Sequence, residues 1–275
     1  MSFKSILPAV TTLSLAVGAA SALDEYLPVP VRVMQISTGF ERSSLSGNYG
    51  HDWENDEREV RNNPTAIPIQ GKFGVLENLE GSMAARYLIE DSSGNAGLDR
   101  PVLALKYADP KTGGGGFLAV SLPVGFEDIM NSGNYATMTF GAMYAREWAH
   151  VGLLANASYS YNTEDDQKNK VDNVRLFAKP EYPIPAPFLV ARKQRVAATL
   201  AGIYEYSFNR VVDSESSEEG GHKFQMVPGL TWTINKIVTV ETNAYLTLSG
   251  QNTPAAATAR ALLYFSLVED VYNAL

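Results

Sequence analysis

Between about residues 31 and 267 this chain repeats one pattern. Apolar and polar side chains alternate singly for roughly ten residues, the pattern stops at a polar connection, and then it resumes. Alternation with period two belongs to β-strands, because successive side chains point to opposite faces. The cleanest example is 237–249, where Val238, Val240, Ala244, Leu246 and Leu248 oppose Thr239, Glu241, Asn243, Tyr245, Thr247 and Ser249. In 151–162, Val151, Leu153, Ala155, Ala157, Tyr159 and Tyr161 oppose Asn156, Ser158, Ser160 and Asn162. Segments 196–209 and 223–234 behave alike, and weaker versions run over 31–41, 66–77, 79–90, 101–108, 116–124, 136–146, 173–180 and 258–267. About twelve strands result, several of them longer than the five or six residues usual in soluble sheets.

The connections alternate as well. Those at 42–65, 91–100, 125–134, 163–172 and 210–222 are long and polar, most of them acidic, whereas 77–78, 147–150 and 235–236 are short. Long loops at one end and tight turns at the other, joined by strands of about ten residues, predict an up-and-down antiparallel barrel that crosses a bacterial outer membrane. Two connections fit less well: 109–115 is glycine-rich and of medium length, and 181–195, with Pro183, Pro185 and Pro187, is too long for a tight turn. Counts of ten or fourteen strands therefore stay open.

The first residues read as a cleaved export signal: Lys4, an apolar run over 6–17, then Ala20-Ser21-Ala22. This divides the chain into a signal peptide, 1–22, and one barrel domain, 23–275. There is no cysteine, which excludes disulfides, thiolate metal sites, a thiol nucleophile and a lipoprotein anchor. Mean hydropathy is only −0.12, as expected when half of every strand faces water. The formal net charge of −8 argues against nucleic acid as a partner, since that needs a basic footprint.

In such a barrel the apolar set of each strand meets lipid. Trp148, Tyr159, Tyr161, Tyr204, Tyr206, Phe208 and Trp232 then form interfacial aromatic clusters near strand ends. The polar set faces the lumen and includes Arg86, Glu90, Arg175, Lys179, Glu205, Glu241 and Asn243, either a braced, hydrated wall or a charged constriction. His51, His150 and His222 all fall in connections by this reading, and no H-E-x-x-H or G-x-S-x-G motif is present. Gly113 to Gly116 reads as a flexible turn without the Lys-Ser/Thr of a phosphate loop. The acidic runs 164–166 and 218–219 read as solvated loops. No catalytic residue, metal site or cofactor is expected.

A resemblance appears at Gly97-Leu98-Asp99, Val102 to Tyr107 and 117–125 (FLAVSLPVG), and again at Val227-Pro228-Gly229-Leu230-Thr231-Trp232. These segments resemble the outer-membrane channel family named for the meta-pathway of phenol degradation. That family shows a GLGD…L..KY segment, a strand ending in LPTG and a PGLxY strand. Here Leu98 is followed directly by Asp99, and Val124 stands in place of the Thr. The resemblance implies a barrel of the outer membrane with a transport role for small, apolar compounds. Outer-membrane barrels often finish on an aromatic residue that helps recognition by the barrel-assembly machinery; Phe265 is the candidate, with ten residues after it.

The expected function is passive passage of small molecules through an outer-membrane channel or facilitator, with the bilayer, lipopolysaccharide and a solute as partners. The alternative is a structural or surface-interaction barrel without transport. Two further classes are a lipid-face hydrolase or acyltransferase, which needs a complete Ser or His nucleophile system at the lipid face, and a soluble secreted β protein, which heat-modifiable gel migration and detergent-dependent extraction would exclude.

Overall fold

The computed structural model describes residues 29–49, 55–56, 63–89, 96–123, 135–148, 151–163, 172–185, 194–208, 210–212, 216–218, 220–251 and 253–268. The predicted signal peptide and Glu90 lie outside them, as do His51, His150 and the acidic run 164–166.

In chain order the strands are β1 (Val33–Tyr49), β2 (Asn55–Asp56), β3 (Thr65–Leu76), β4 (Leu79–Ile89), β5 (Ala96–Leu98), β6 (Val102–Ala108), β7 (Gly114–Ser121), β8 (Thr137–Trp148), β9 (Val151–Asn162), β10 (Asn173–Pro183), β11 (Arg195–Ser207), β12 (Arg210–Val212), β13 (Ser216–Glu218), β14 (Gly221–Thr233), β15 (Val238–Gln251) and β16 (Thr253–Val268). The short β2, β5, β12 and β13 sit in the long connections. The other twelve pair with their neighbours in sequence, all antiparallel, and β16 closes onto β1 from Val33–Val268 to Tyr49–Thr253. All twelve predicted strands are present, so the counts of ten and fourteen fall away. Closure leaves no edge and gives the strand backbones partners within the wall.

The faces are inverted relative to a soluble protein. The exposed face carries Phe40, Ile69, Phe73, Met83, Leu105, Leu118, Phe140, Leu176, Leu200 and Leu230, while Glu41, Lys72, Glu80, Arg86, Lys106, Lys223 and Arg260 are buried. In a closed barrel the buried face is the inner one. An apolar exterior this extensive is stable only against hydrocarbon.

Three sequence readings are corrected. His222 is not in a connection: it is the second residue of β14, opposite Tyr206 and Gln251. It directs its side chain outward, where Nδ1 lies 2.7 Å from the Tyr204 hydroxyl. The glycine run is not a free turn either. Gly114 to Gly116 open β7, and Gly113 has a φ of 75° with the Ala145 carbonyl where a Cβ would stand. Finally, 210–222 is not a plain loop, since β12 and β13 form a small hairpin there.

The chain enters β1 from inside. Val29 is buried, and Val31 bridges in parallel to Gly74 on β3. A Cβ on Gly74 would strike the Pro30 carbonyl oxygen, so only glycine lets this segment lie across the inner wall. Arg32, with a φ of 66°, then turns the chain, and the Val33 amide donates to the Pro30 carbonyl at 3.0 Å.

Candidate functional site: the inner wall of the barrel

Register places the inward side chains in oblique rows. One row runs Glu80, Lys106, Phe117, Gly141, Ser158, Arg175, Glu205 and Lys223, each opposite the next on the neighbouring strand. It holds two ion-pair groups. Lys106 Nζ lies 3.0 Å from Glu80 Oε1, and Glu80 Oε2 accepts the Val29 amide at 2.8 Å. The same carboxylate thus pairs with the wall and ties the entering segment to it. At the other end of the row Glu205 lies 3.5 Å from Arg175 Nε and also pairs with Lys223.

A third group spans the β1–β16 closure. Arg86 Nη2 donates to Glu41 Oε1 at 2.6 Å, and Arg86 Nη1 lies 3.8 Å from Asp99 Oδ2. Glu41 stands opposite Arg260, whose Nη2 is 3.7 Å from Glu241 Oε1. Glu241 also accepts hydrogen bonds from Asn243 and, at 3.0 Å, from the Tyr264 hydroxyl. At the loop end, the Arg100 guanidinium lies 4.0 Å from the Tyr135 ring centroid, and its Nη1 donates to the Tyr135 carbonyl at 2.9 Å. Arg100 therefore fastens the connection after β5 to the segment before β8, while Asp99 holds the same connection to Arg86 on β4.

Between the charged groups the inner wall is apolar. Leu154, Phe177, Ala201, Ile203, Val227 and Tyr245 pack together across β9, β10, β11, β14 and β15. Val102, Ala104, Ala108, Phe117, Ala119 and Met143 do so across β6, β7 and β8. Two buried carboxamides on this wall, Gln70 and Asn156, have no hydrogen-bond partner at either atom among the described residues.

Of the predicted lumen set, Arg86, Arg175, Glu205, Glu241 and Asn243 lie in these networks, and the structure joins Arg175 to Glu205 and Glu241 to Asn243. Lys179 is half-buried beside Leu154, and Glu90 is not described. Sequence reasoning missed Glu41, Lys72, Glu80, Asp99, Arg100, Lys106, Lys223 and Arg260. Of the predicted aromatics, Trp148 and Trp232 are exposed beside the tight turns. Tyr159, Tyr161, Tyr204, Tyr206 and Phe208 gather at the loop end, where Tyr206 and Phe208 stack edge-on at 5.1 Å and the Tyr159 hydroxyl donates to Asp172 at 2.6 Å.

Outside the wall, the turn at 109–113 is fixed by Asp109, which accepts from the Lys111 amide at 2.9 Å and the Thr112 hydroxyl at 3.0 Å. These bonds hold its carboxyl below the usual range.

No protein-family model matches the chain, and no curated protein matches it. Solved structures do. The COG4313 outer membrane channel from Pseudomonas putida F1 superposes with a TM-score of 0.71 at 10% identity, covering 88% of this chain and 98% of that one. The chain has the fold of an outer-membrane β-barrel. The β domain of the Bordetella autotransporter Brka matches less well, with a TM-score of 0.53 at 10% identity over 86% of this chain and 100% of that one. At this identity the likeness is one of fold: a closed antiparallel barrel of similar size.

Proposed function

We propose that this chain is a channel or facilitator of the bacterial outer membrane that lets small molecules pass without energy input. The observation that carries the reading is the inverted barrel, apolar outside and lined inside by paired charges and apolar patches. The fold match to a protein described as an outer membrane channel supports it, as does the resemblance to the meta-pathway channel family at 97–125 and 227–232. In this orientation the long connections face the cell exterior, where they meet lipopolysaccharide, and β16, with Phe265, is the strand presented to the assembly machinery. The predicted lumen and interface residues take their roles from the same placement. The reading is that of a conduit, not an enzyme.

Purified protein in planar bilayers tests it. Stepwise conductance, or swelling of proteoliposomes in small solutes, is the expected result. A folded barrel that neither conducts nor swells in any solute would replace this reading with a structural barrel. The buried ion pairs at Glu41–Arg86 and Glu80–Lys106 favour that second reading to the extent that they narrow the interior.

A further inference from the structure

Asn156 stands where a strand crosses from one kind of inner wall to another. On its own strand Ser158 lies toward the charged row, and Leu154, with Lys179 opposite it, lies on the other side; across the sheet Asn156 faces Met143 and Phe177. It is 5% exposed, and neither its Oδ1 nor its Nδ2 has a hydrogen-bond partner among the described residues. Gln225, three strands further along the same row, shows the contrast: its amide donates to Thr247 at 3.3 Å. Gln70 is equally unpartnered, but it is flanked on its own face by Lys72 and paired with Ser37, so its surroundings are polar.

A buried carboxamide left unpaired is a standing cost that an apolar residue of the same size would remove. Its desolvation has already been met in the folded state, so a ligand group that reaches it has only its own desolvation to offset. The surroundings say what else that ligand carries. Phe177, Leu154 and Ile203 belong to one contiguous apolar cluster of the inner wall. Met143, directly opposite, is unbranched and adaptable, the neighbour best able to give way.

We infer that Asn156, with Met143, Phe177, Leu154 and Ile203, forms an internal binding subsite. Its ligand is a small apolar molecule bearing one group that both donates and accepts a hydrogen bond, such as a hydroxyl. The carboxamide meets both halves of that group, its oxygen accepting and its NH2 donating. The subsite rests on the channel reading and names a solute class for it: amphipathic molecules with a single polar head, preferred over hydrocarbons of equal size and over fully polar solutes.

Equilibrium dialysis of the full barrel in detergent, against protein-free micelles, tests the subsite with cyclohexanol and methylcyclohexane. The wild type should bind cyclohexanol more tightly. Asn156→Leu should lower cyclohexanol affinity about 3–10-fold, the worth of one net hydrogen bond, and leave methylcyclohexane unchanged or slightly tighter. Phe177→Ala should weaken both probes together. Heat-modifiable gel migration shows that each variant is folded; should Asn156→Leu fail to fold, Asn156→Ser, which keeps a hydroxyl, replaces it and should lose part of the preference. Equal affinity of the wild type for the two probes, or a preference that survives Asn156→Leu, overturns the subsite. Conductance by the wild type separates the two readings. A conducting barrel whose preference ignores Asn156 loses only the subsite, whereas a silent barrel with an Asn156-dependent preference loses only the channel.

Discussion

Individual buried charges set the balance of this interior. Lys106 and Glu80 are each almost wholly buried and 3.0 Å apart. Removing one partner of such a pair strands the other in a medium that solvates it poorly, while removing both can be nearly neutral. Lys106→Met should therefore destabilise the barrel by about 3–5 kcal/mol. The double variant Lys106→Met/Glu80→Leu should recover most of that loss, but not all, because Glu80 also accepts the Val29 amide. Urea unfolding in lipid vesicles checks this, and a double variant no better than the single one would mean the two charges do not act as a pair. Asp109 sets a different kind of balance at the turn end. Its carboxyl is depressed in the folded state by bonds from Lys111 and Thr112, so its contribution is fully present above the unfolded carboxyl's ordinary value, about 3.9. That contribution is lost as the pH falls through the lower, folded value. Asp109→Asn should flatten the acid limb of a stability profile below about pH 4 and change nothing at neutral pH beyond a constant offset.

Strands are the scale at which the sequence is legible, and the exposed face can be tested directly. Ile69 lies mid-strand on β3 with its side chain outward, opposite Thr38 and Ala85. Ile69→Arg should cost about 2–4 kcal/mol, the price of a cation near the bilayer midplane; a cost near zero in the same refolding assay would place this face in water. All twelve wall strands could be read because each carries a largely apolar outward set, and a one-residue slip would turn that whole set inward. Their ends could not. β16 begins at Thr253, five residues before the predicted start at 258, because Thr-Pro-Ala-Ala-Ala offers no contrast between faces and is held by backbone pairing to β1. The inner ion pairs were hidden for a related reason. In β6, Leu103, Leu105 and Tyr107 point outward while Val102 and Ala104 point inward, so Lys106 sits in a strand apolar on both faces and carries no periodic signal. Lys223 and His222 fall at the junction of a connection and a strand, where parity has no anchor on the loop side. Glu205, Glu241 and Asn243 were found because their strands alternate cleanly, but their partners depend on register between strands, which one sequence does not encode.

Closure is the property of the whole molecule on which its behaviour depends. A sheet of these twelve strands left open would present β1 and β16 as long edges in hydrocarbon, with a row of unpaired amides and carbonyls that no lipid can satisfy. The structure avoids this by pairing the first wall strand with the last almost end to end, with one register shift between Leu45 and Gly47. Thr38 and Leu263 are directly opposite across this seam. Opposed residues on antiparallel strands have Cα atoms about 4.5–5.5 Å apart, within the span of a disulfide. Because the chain has no cysteine of its own, Thr38→Cys/Leu263→Cys reports on this seam without background. Mild oxidation of the folded protein should cross-link the pair within one chain, seen as a shift in denaturing gel migration that a reductant reverses. The locked barrel should keep the conductance of its reduced form if solute travels along the axis. Failure to cross-link in a protein that still shows heat-modifiable migration would mean that β1 and β16 do not meet in this register. Cross-linking only between chains would mean that the two edges close on a neighbour instead.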